Sequence, residues 1–509
     1  MPPARGVRTL LESSIRANHP QIRPNELTRA HTRSVCTCRN ISSPRQIQQQ
    51  SSTFTYTPRQ QPRIPTRLIS SKRHASSTTS SSELKHTPLY AVHTEAGAKM
   101  GPFAGYSMPL EYPDQSHPES HRWTRSNASL FDVSHMVQHK LSGPLAEEFL
   151  MTITPSSIST LQKHHSTLSC LLDENGGIVD DTVITRLGRE SFYFVTNAGC
   201  REQDLAYIEA QMTQFLEAKA IPNSKSDENI KWHVLNCHSL VALQGPKSQE
   251  ILQALVYHDT EDESGTSPDL STLGFGESRW LQLTTEGEMN TPSLLVSRTG
   301  YTGEDGFEIS IPSENGDSSA LATTIAKAII GDSSIVRWAG LAARDSLRLE
   351  AGMCLYGHDI STATTPPMAG LGWIVGKDRR DESATPAFNG RSKILEHLSK
   401  PKSMPERRVG FLVEKGPAAR EGAEIVDSEK GEVIGKITSG CPAPSLEGQN
   451  IAMGLIKNGY HKSGTKVGVK VRKGVRKAEV AKMPFVANKF YRPDNKDGEK
   501  KELKNNTGS

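Results

Sequence analysis

The sequence predicts an α+β body followed by a small C-terminal β-barrel, and three observations carry that prediction. Between residues 167 and 350, alternating apolar strands, glycine- or asparagine-bearing turns and amphipathic helices succeed one another. Beyond residue 408, short strands follow at close spacing with glycines between them, which is the pattern of a small barrel. The first 82 residues differ in composition from everything after them. The folded part therefore starts late.

The chain has 509 residues, enough for about three domains on the usual relation of length to domain count. Its formal charge of +4 is unevenly placed: residues 1–82 hold thirteen Lys and Arg against Glu12 and Glu26, and the remainder holds 47 basic and 54 acidic residues. That acidic remainder carries no overall nucleic-acid footprint. The leading segment is Arg- and Ser-rich and too poor in large apolar residues to fold alone. This is the composition of a mitochondrial transit peptide, and residues 7–16 have the spacing of a short basic amphipathic helix. Import into mitochondria and removal between about Arg73 and Ser82 are the expectation. A basic disordered arm on nucleic acid is the alternative.

No apolar run approaches the roughly 18–20 residues that a membrane span requires. Cys36 and Cys38 lie in the leader, while Cys170, Cys200, Cys237, Cys354 and Cys441 are widely spaced. Without CxxC spacing they form neither a zinc pattern nor a disulfide framework, so reduced thiols and no metal are expected.

Taken in order, residues 84–90 mark the change to folding sequence, and 100–110, dense in glycine, proline and aromatics, reads as a tight loop packed on a core. A helix is predicted over 117–126 and a strand from 129. His135 follows; as a base or ligand it has no visible acid partner, and a structural role is the competing reading. A helix starts after Gly143-Pro144, and a hairpin joins strands 167–172 and 178–185 through Asp173-Glu174-Asn175-Gly176-Gly177. In the returning strand the adjacent acids Asp180 and Asp181 point to opposite faces, so one of them must face the interior or a cleft. An edge strand with both acids hydrated would also explain them. Strand 192–196 ends at Asn197, which either caps the helix over 203–217 or binds a ligand.

Strand 239–244 and helix 248–256 come next, then an acidic insertion at 259–269 and strands at 280–284 and 293–298. They deliver the chain to Gly300-Tyr301-Thr302-Gly303-Glu304-Asp305-Gly306, a turn that opens the alternating run Phe307-Glu308-Ile309-Ser310-Ile311. Phe307, Ile309 and Ile311 share one face, which leaves Glu308 and Ser310 on the other. Helices follow at 320–330 and 340–352. On the second, Arg344 and Arg348 are four apart and share a face, either to grip a planar or carboxylate group or to pair with Asp345 or Glu350. Residues 376–407 read as a basic connection with one helix at 392–399. Barrel strands are predicted at 408–413, 424–427, 433–438, 451–456 and 466–472 within a domain spanning 408–493, ahead of a charged tail at 494–509.

Several of these segments together resemble the T-protein family of the glycine cleavage system, the mitochondrial aminomethyltransferases. They are residues 300–310, the helix 340–350 with its Arg344-Asp345-Ser346-Leu347-Arg348-Leu349-Glu350, the hairpin Gly176-Gly177-Ile178-Val179-Asp180-Asp181, the stretch 131–136 and the run 438–446. The resemblance covers about residues 87–491. It implies a three-domain cloverleaf around a central cavity for tetrahydrofolate, with residues 83–375 forming two of the three domains. The implied partner is the lipoylated H-protein, and the implied location is the mitochondrial matrix. By matching motifs, the resemblance implies Asp181 as the functional acid, Glu308 as the acid that reads the pterin, Arg344 as the helix arginine, and Asn197 and Met136 as cavity-lining residues. After Pro484-Phe485-Val486 the family tends to place paired tyrosines; here Phe490-Tyr491 stands, so the first hydroxyl is missing, and either stacking alone serves there or Tyr491 supplies the hydroxyl instead.

Two relatives of that family define the alternatives. A folate-dependent demethylating oxidase needs a flavin domain, and this chain has neither a GxGxxG after a strand nor the length before residue 84 to build one, so no flavin is expected. Folate-binding factors of iron–sulfur cluster assembly carry a Lys-Gly-Cys-Tyr type of segment, where this chain has Gly352-Met353-Cys354-Leu355-Tyr356-Gly357. That difference favours the transferase.

Overall fold

A computed structural model describes residues 83–262, 267–285, 289–313, 315–331 and 334–493, so the expected targeting segment and the charged tail lie outside the described residues. The larger sheet has the strand order Val256–Asp259, Ser278–Thr285, Leu294–Ser297, Gly306–Ile311, Ser239–Gln244, Ala128–Asp132, Val336–Trp338, with Met289–Asn290 paired beside Ser278–Thr285. Its pairings are antiparallel except for Val336–Trp338 beside Ala128–Asp132. A second, five-stranded antiparallel sheet runs Ser166–Leu172, Ile178–Gly188, Ser191–Thr196, Val137–Ser142, Lys231–Val234. The C-terminal strands close into a barrel, Glu406–Val413, Gln449–Lys457, Val433–Ala443, Glu424–Asp427, Lys466–Val471 and Gly474–Ala481. The α+β body with a terminal barrel is the predicted class.

The alternation in Gly306–Ile311 decides how the larger sheet packs. Phe307, Ile309 and Ile311 are all 0 % exposed and meet Leu252 of helix Ser248–Leu255 and Ile325 of helix Ser319–Ile330. Each such buried side chain stabilises the fold by about 1.5–3 kcal/mol. The opposite face packs Phe131, Leu240 and Ala242 against Ala343 and Leu347 of helix Leu341–Glu350. Glu308 is on this second face, in a cross-strand row with Ser297, Ala242 and Phe131. Helix Leu341–Glu350 therefore lies over the acid.

Buried polar clusters tie the elements together. The Asp132 carboxylate accepts from His93 Nε2 at 2.9 Å, Thr87 Oγ1 at 2.6 Å and the Ser134 amide at 2.9 Å. Burial pushes this carboxyl up, but the donors outweigh burial and hold it at about 2. Glu350 is likewise held at about 2, burial being outweighed by His121 and by Ser445, and it also pairs with Arg125 at 3.0 Å. The ordinary values are 3.8 and 4.5, so each depressed carboxyl contributes stability that is present above its ordinary value and is lost as pH falls toward about 2. Thermal melts should therefore give a Tm that drops steeply below about pH 4. A flat Tm down to about pH 2.5 would contradict the assignment.

Three differences from the sequence reading have physical causes. Residues 100–110 form a hairpin, Lys99–Phe103 with Tyr106–Glu111, rather than a loop. Pro102 and Pro109 obscure it, yet a two-stranded sheet has only edges, where proline is tolerated. The hairpin packs on the start of helix Leu341–Glu350, where a Cβ on Gly340 would collide with the Leu110 carbonyl. The barrel has a sixth strand, Gly474–Ala481, whose basic residues mask the inward pair Ala478 and Val480. The expected connection at 376–407 is part of a core, because its Phe388 and Ile394 pack with Cys170, Leu172 and Ile178.

Candidate functional site

Strand Ile178–Gly188 is flanked on both sides by Ser166–Leu172 and Ser191–Thr196, so the edge-strand explanation of its two acids fails. Asp180 stands opposite Leu171 and is 0 % exposed, while Asp181 stands opposite Cys170 and is only partly buried. Asn197 binds both: its amide N–H and Nδ2 each donate to Asp180 at 2.8 Å, and Nδ2 donates to Asp181 Oδ1 at 2.9 Å. Its side chain makes no cap bond to the helix that follows. Burial, and then the charge of Asp180, push the Asp181 carboxyl up to about 7. Asp181 can therefore exchange a proton near neutrality.

Glu308 accepts from Thr299 Oγ1 at 2.6 Å. The turn before it is held by Gln244, whose Nε2 donates to the Thr299 carbonyl at 3.0 Å and whose Oε1 accepts from Thr302 at 2.9 Å. A Cβ on Gly300 would occupy the place of that Gln244 amide, which explains glycine there. Arg298 locks the turn from outside: Nε and Nη2 hold Asp305 at 2.9 and 2.5 Å, and Nη1 donates to the Leu270 and Leu273 carbonyls.

The two helix arginines part company. Arg348 is consumed by structure, donating to Asp345, Asp359, the Met353 carbonyl and Ser439. Arg344 instead lies over the Tyr301 ring at 4.9 Å, and its Nη1 is enclosed without a hydrogen-bond partner. Its charge is felt by His135 and it feels that of Glu308, while Tyr301 feels Asp181. Thus Asp181, Tyr301, Arg344 and Glu308 converge from three segments. Tyr301 was not singled out from sequence; its position in the glycine turn before Glu308 was the available signal.

Met136 packs at the margin of the Phe131, Leu240 and Leu347 cluster, beside this convergence. His135 is 3 % exposed, edge-on to Phe103 at 5.5 Å, and burial lowers it to about 4. It is a neutral core histidine. Phe490 stacks on Phe275 at 4.0 Å, and Tyr491 lies 3.9 Å from the Arg298 guanidinium with its hydroxyl donating to the Ser271 carbonyl. Both thus stand on the Arg298 side of the glycine turn. A cleft of about 250 Å³ opens elsewhere, between His164, His165, Glu277 and Arg279, and no predicted site residue lines it. Among the described residues no group of three or more His, Cys, Asp or Glu could hold a metal, and no helix is long and apolar enough to cross a membrane.

The chain is similar to known proteins over most of its length. The family model of the GCVT N-terminal domain matches residues 89–379, and that of the glycine cleavage T-protein C-terminal barrel domain matches 406–487. The probable mitochondrial aminomethyltransferase of Schizosaccharomyces pombe is 43 % identical over 424 residues, covering 83 % of this chain and 98 % of that one. The mitochondrial aminomethyltransferase of Pisum sativum is 45 % identical, over 81 % of this chain and 92 % of that one. The crystal structure of the glycine cleavage system aminomethyltransferase T from Bartonella henselae superimposes with a TM-score of 0.68 at 36 % identity, covering 81 % of this chain and all of that one. An α+β body with a closed barrel and these relatives define an enzyme of the aminomethyltransferase class. Within that class, the chain belongs to the glycine cleavage T-protein family.

Proposed function

We propose that this chain takes the aminomethyl group borne by the lipoyl arm of the H-protein, releases ammonia and passes the methylene to tetrahydrofolate, giving 5,10-methylenetetrahydrofolate. The observation that carries the folate reading is Arg344, held on Tyr301 beside Glu308 with one enclosed nitrogen left without an acceptor. A buried donor without a partner is costly, and a ligand acceptor relieves that cost. Glu308 suits the adjacent ring N–H and amino donors of a pterin, and Arg344 suits a folate oxygen or its anionic tail.

Atoms balance without an oxidant. Two N–C bonds form to the folate nitrogens as the C–N and C–S bonds of the aminomethyl thioether break. Of the two displaced N–H protons, one leaves with ammonia and one goes to the lipoyl sulfur. Asp181 orients the receiving nitrogens, holds the positive charge that develops and passes a proton. No enzyme nucleophile is required, and burial holds the nearby Cys354 thiol up at about 12. Asn197 clamps Asp181 and Met136 supplies apolar wall, while the rings of Phe490 and Tyr491 are engaged by Phe275 and Arg298. The mitochondrial names of the relatives and the basic, acid-poor residues 1–82 support the mitochondrial matrix as its location. None of the relatives reported above supports the iron–sulfur assembly reading.

The deciding assay is ammonia release from aminomethylated H-protein with and without tetrahydrofolate. Strong stimulation by folate is expected, and release that ignores folate would overturn the proposal. Glu308→Ala should weaken folate binding by about 1.5–3 kcal/mol, the scale of a charged hydrogen-bond partner. Isothermal titration measures it; unchanged affinity would move the pterin elsewhere.

A further inference from the structure

Behind Asp181 lies a third acid that the proposed chemistry leaves unused. Asp204, in the first turn of helix Arg201–Ala218, is 0 % exposed and faces the five-stranded sheet with Ile208. Its carboxyl lies against the Asp180 carboxylate and the Thr196 hydroxyl, yet neither of its oxygens meets an ordinary donor in hydrogen-bonding geometry. Two enclosed carboxylates in contact cannot both stay ionised. Asp180 already accepts twice from Asn197, so it is the better site for the charge, and Asp204 the better site for a proton. Burial and then Asp180 accordingly push Asp204 upward. The other titratable groups facing this cluster and Asp181 are Cys170, Cys200, Tyr207, Tyr301, Cys354 and Tyr356, none of them a cation.

We infer that Asp204 is a positioning residue: it holds a buried proton and donates it to Asp180, which fixes Asn197 and through it the Asp181 carboxylate. The inference rests on the proposed role of Asp181. Asn197 Nδ2 has two hydrogens, one for each acid, and both are placed only while Asp180 stays a charged acceptor. Without the donor from Asp204, Asp180 draws a proton itself or releases Asn197, and Asp181 loses its orientation.

Asp204→Asn keeps a permanent donor toward Asp180, and Asp204→Leu keeps the volume and removes the donor. Folate-stimulated ammonia release should stay within about threefold of wild type in Asp204→Asn and fall about tenfold or more in kcat in Asp204→Leu, with KM for the carrier little changed. Equal activity of the two variants, whether both retained or both lost, would overturn the inference. Difference infrared spectroscopy tests the proton without turnover: at a pH well above 7, where Asp181 is ionised, wild type should show the carbonyl band of a buried protonated carboxyl, and Asp204→Asn should lose it. Absence of that band in wild type also overturns the inference, even if Asp204→Leu fails to fold. A wild type without folate-stimulated release sinks the transfer reading instead, and the band still decides where the proton sits.

Discussion

Asp181→Asn is expected to lower folate-stimulated ammonia release by about 10²–10⁴-fold, the usual contribution of a positioned acid–base group. The Asn side chain fits the same space and still meets Asn197, so folate binding and Tm should be nearly unchanged. The pH profile gives a second reading. Asp181 is raised to about 7, and its charged form does the work, so wild-type turnover should rise with pH through about 7 and the residual activity of the variant should lack that limb. Turnover of Asp181→Asn within about threefold of wild type would remove the residue from the mechanism.

The largest loss of stability is expected at Arg298. Its side chain is 0 % exposed; it pairs with Asp305, donates to two backbone carbonyls and to Gln249, and is sandwiched between Phe307 at 4.9 Å and Tyr491 at 3.9 Å. Arg298→Met leaves Asp305 and both carbonyls without their donor, and breaking a buried pair from one side costs about 3–5 kcal/mol. Urea unfolding measures it, and Arg298→Met with Asp305→Asn should recover part of the loss. A cost below about 1 kcal/mol would mean that the turn before Glu308 is held by Gln244 alone. Because Arg298 braces the turn before Glu308 through Asp305, the single variant should also weaken folate binding.

Much of this site was legible along the chain because the decisive signal was local. The period of two in Phe307-Glu308-Ile309 places Glu308 opposite a buried face whatever else the protein does. The same rule puts Asp180 and Asp181 on different sides of their strand. Periodicity could not say which of Arg344 and Arg348 would be free, since both share a face. Asp345 and Asp359 claim Arg348, and Asp359 lies beyond the end of the helix, in a loop bound to the barrel by Thr438. Arg298 and Asp204 were missed for the same reason. Each is an ionisable residue enclosed mainly by groups from other segments. For Asp204 the available sign was an acid four residues before the buried Ile208, on the inner side of helix Arg201–Ala218.

The sequence by itself determined the α+β class, the barrel that follows it, the family, and the faces on which Glu308, Asp181 and Arg344 stand. Those follow from backbone periodicity and turn chemistry, which act within a few residues. The tertiary structure alone decided that Arg344 rather than Arg348 is left with an unpartnered nitrogen, that Asn197 joins two acids instead of capping a helix, and that Asp204 presses on Asp180. A charged group in the interior takes its state from whichever groups enclose it, and here those arrive from segments far apart along the chain.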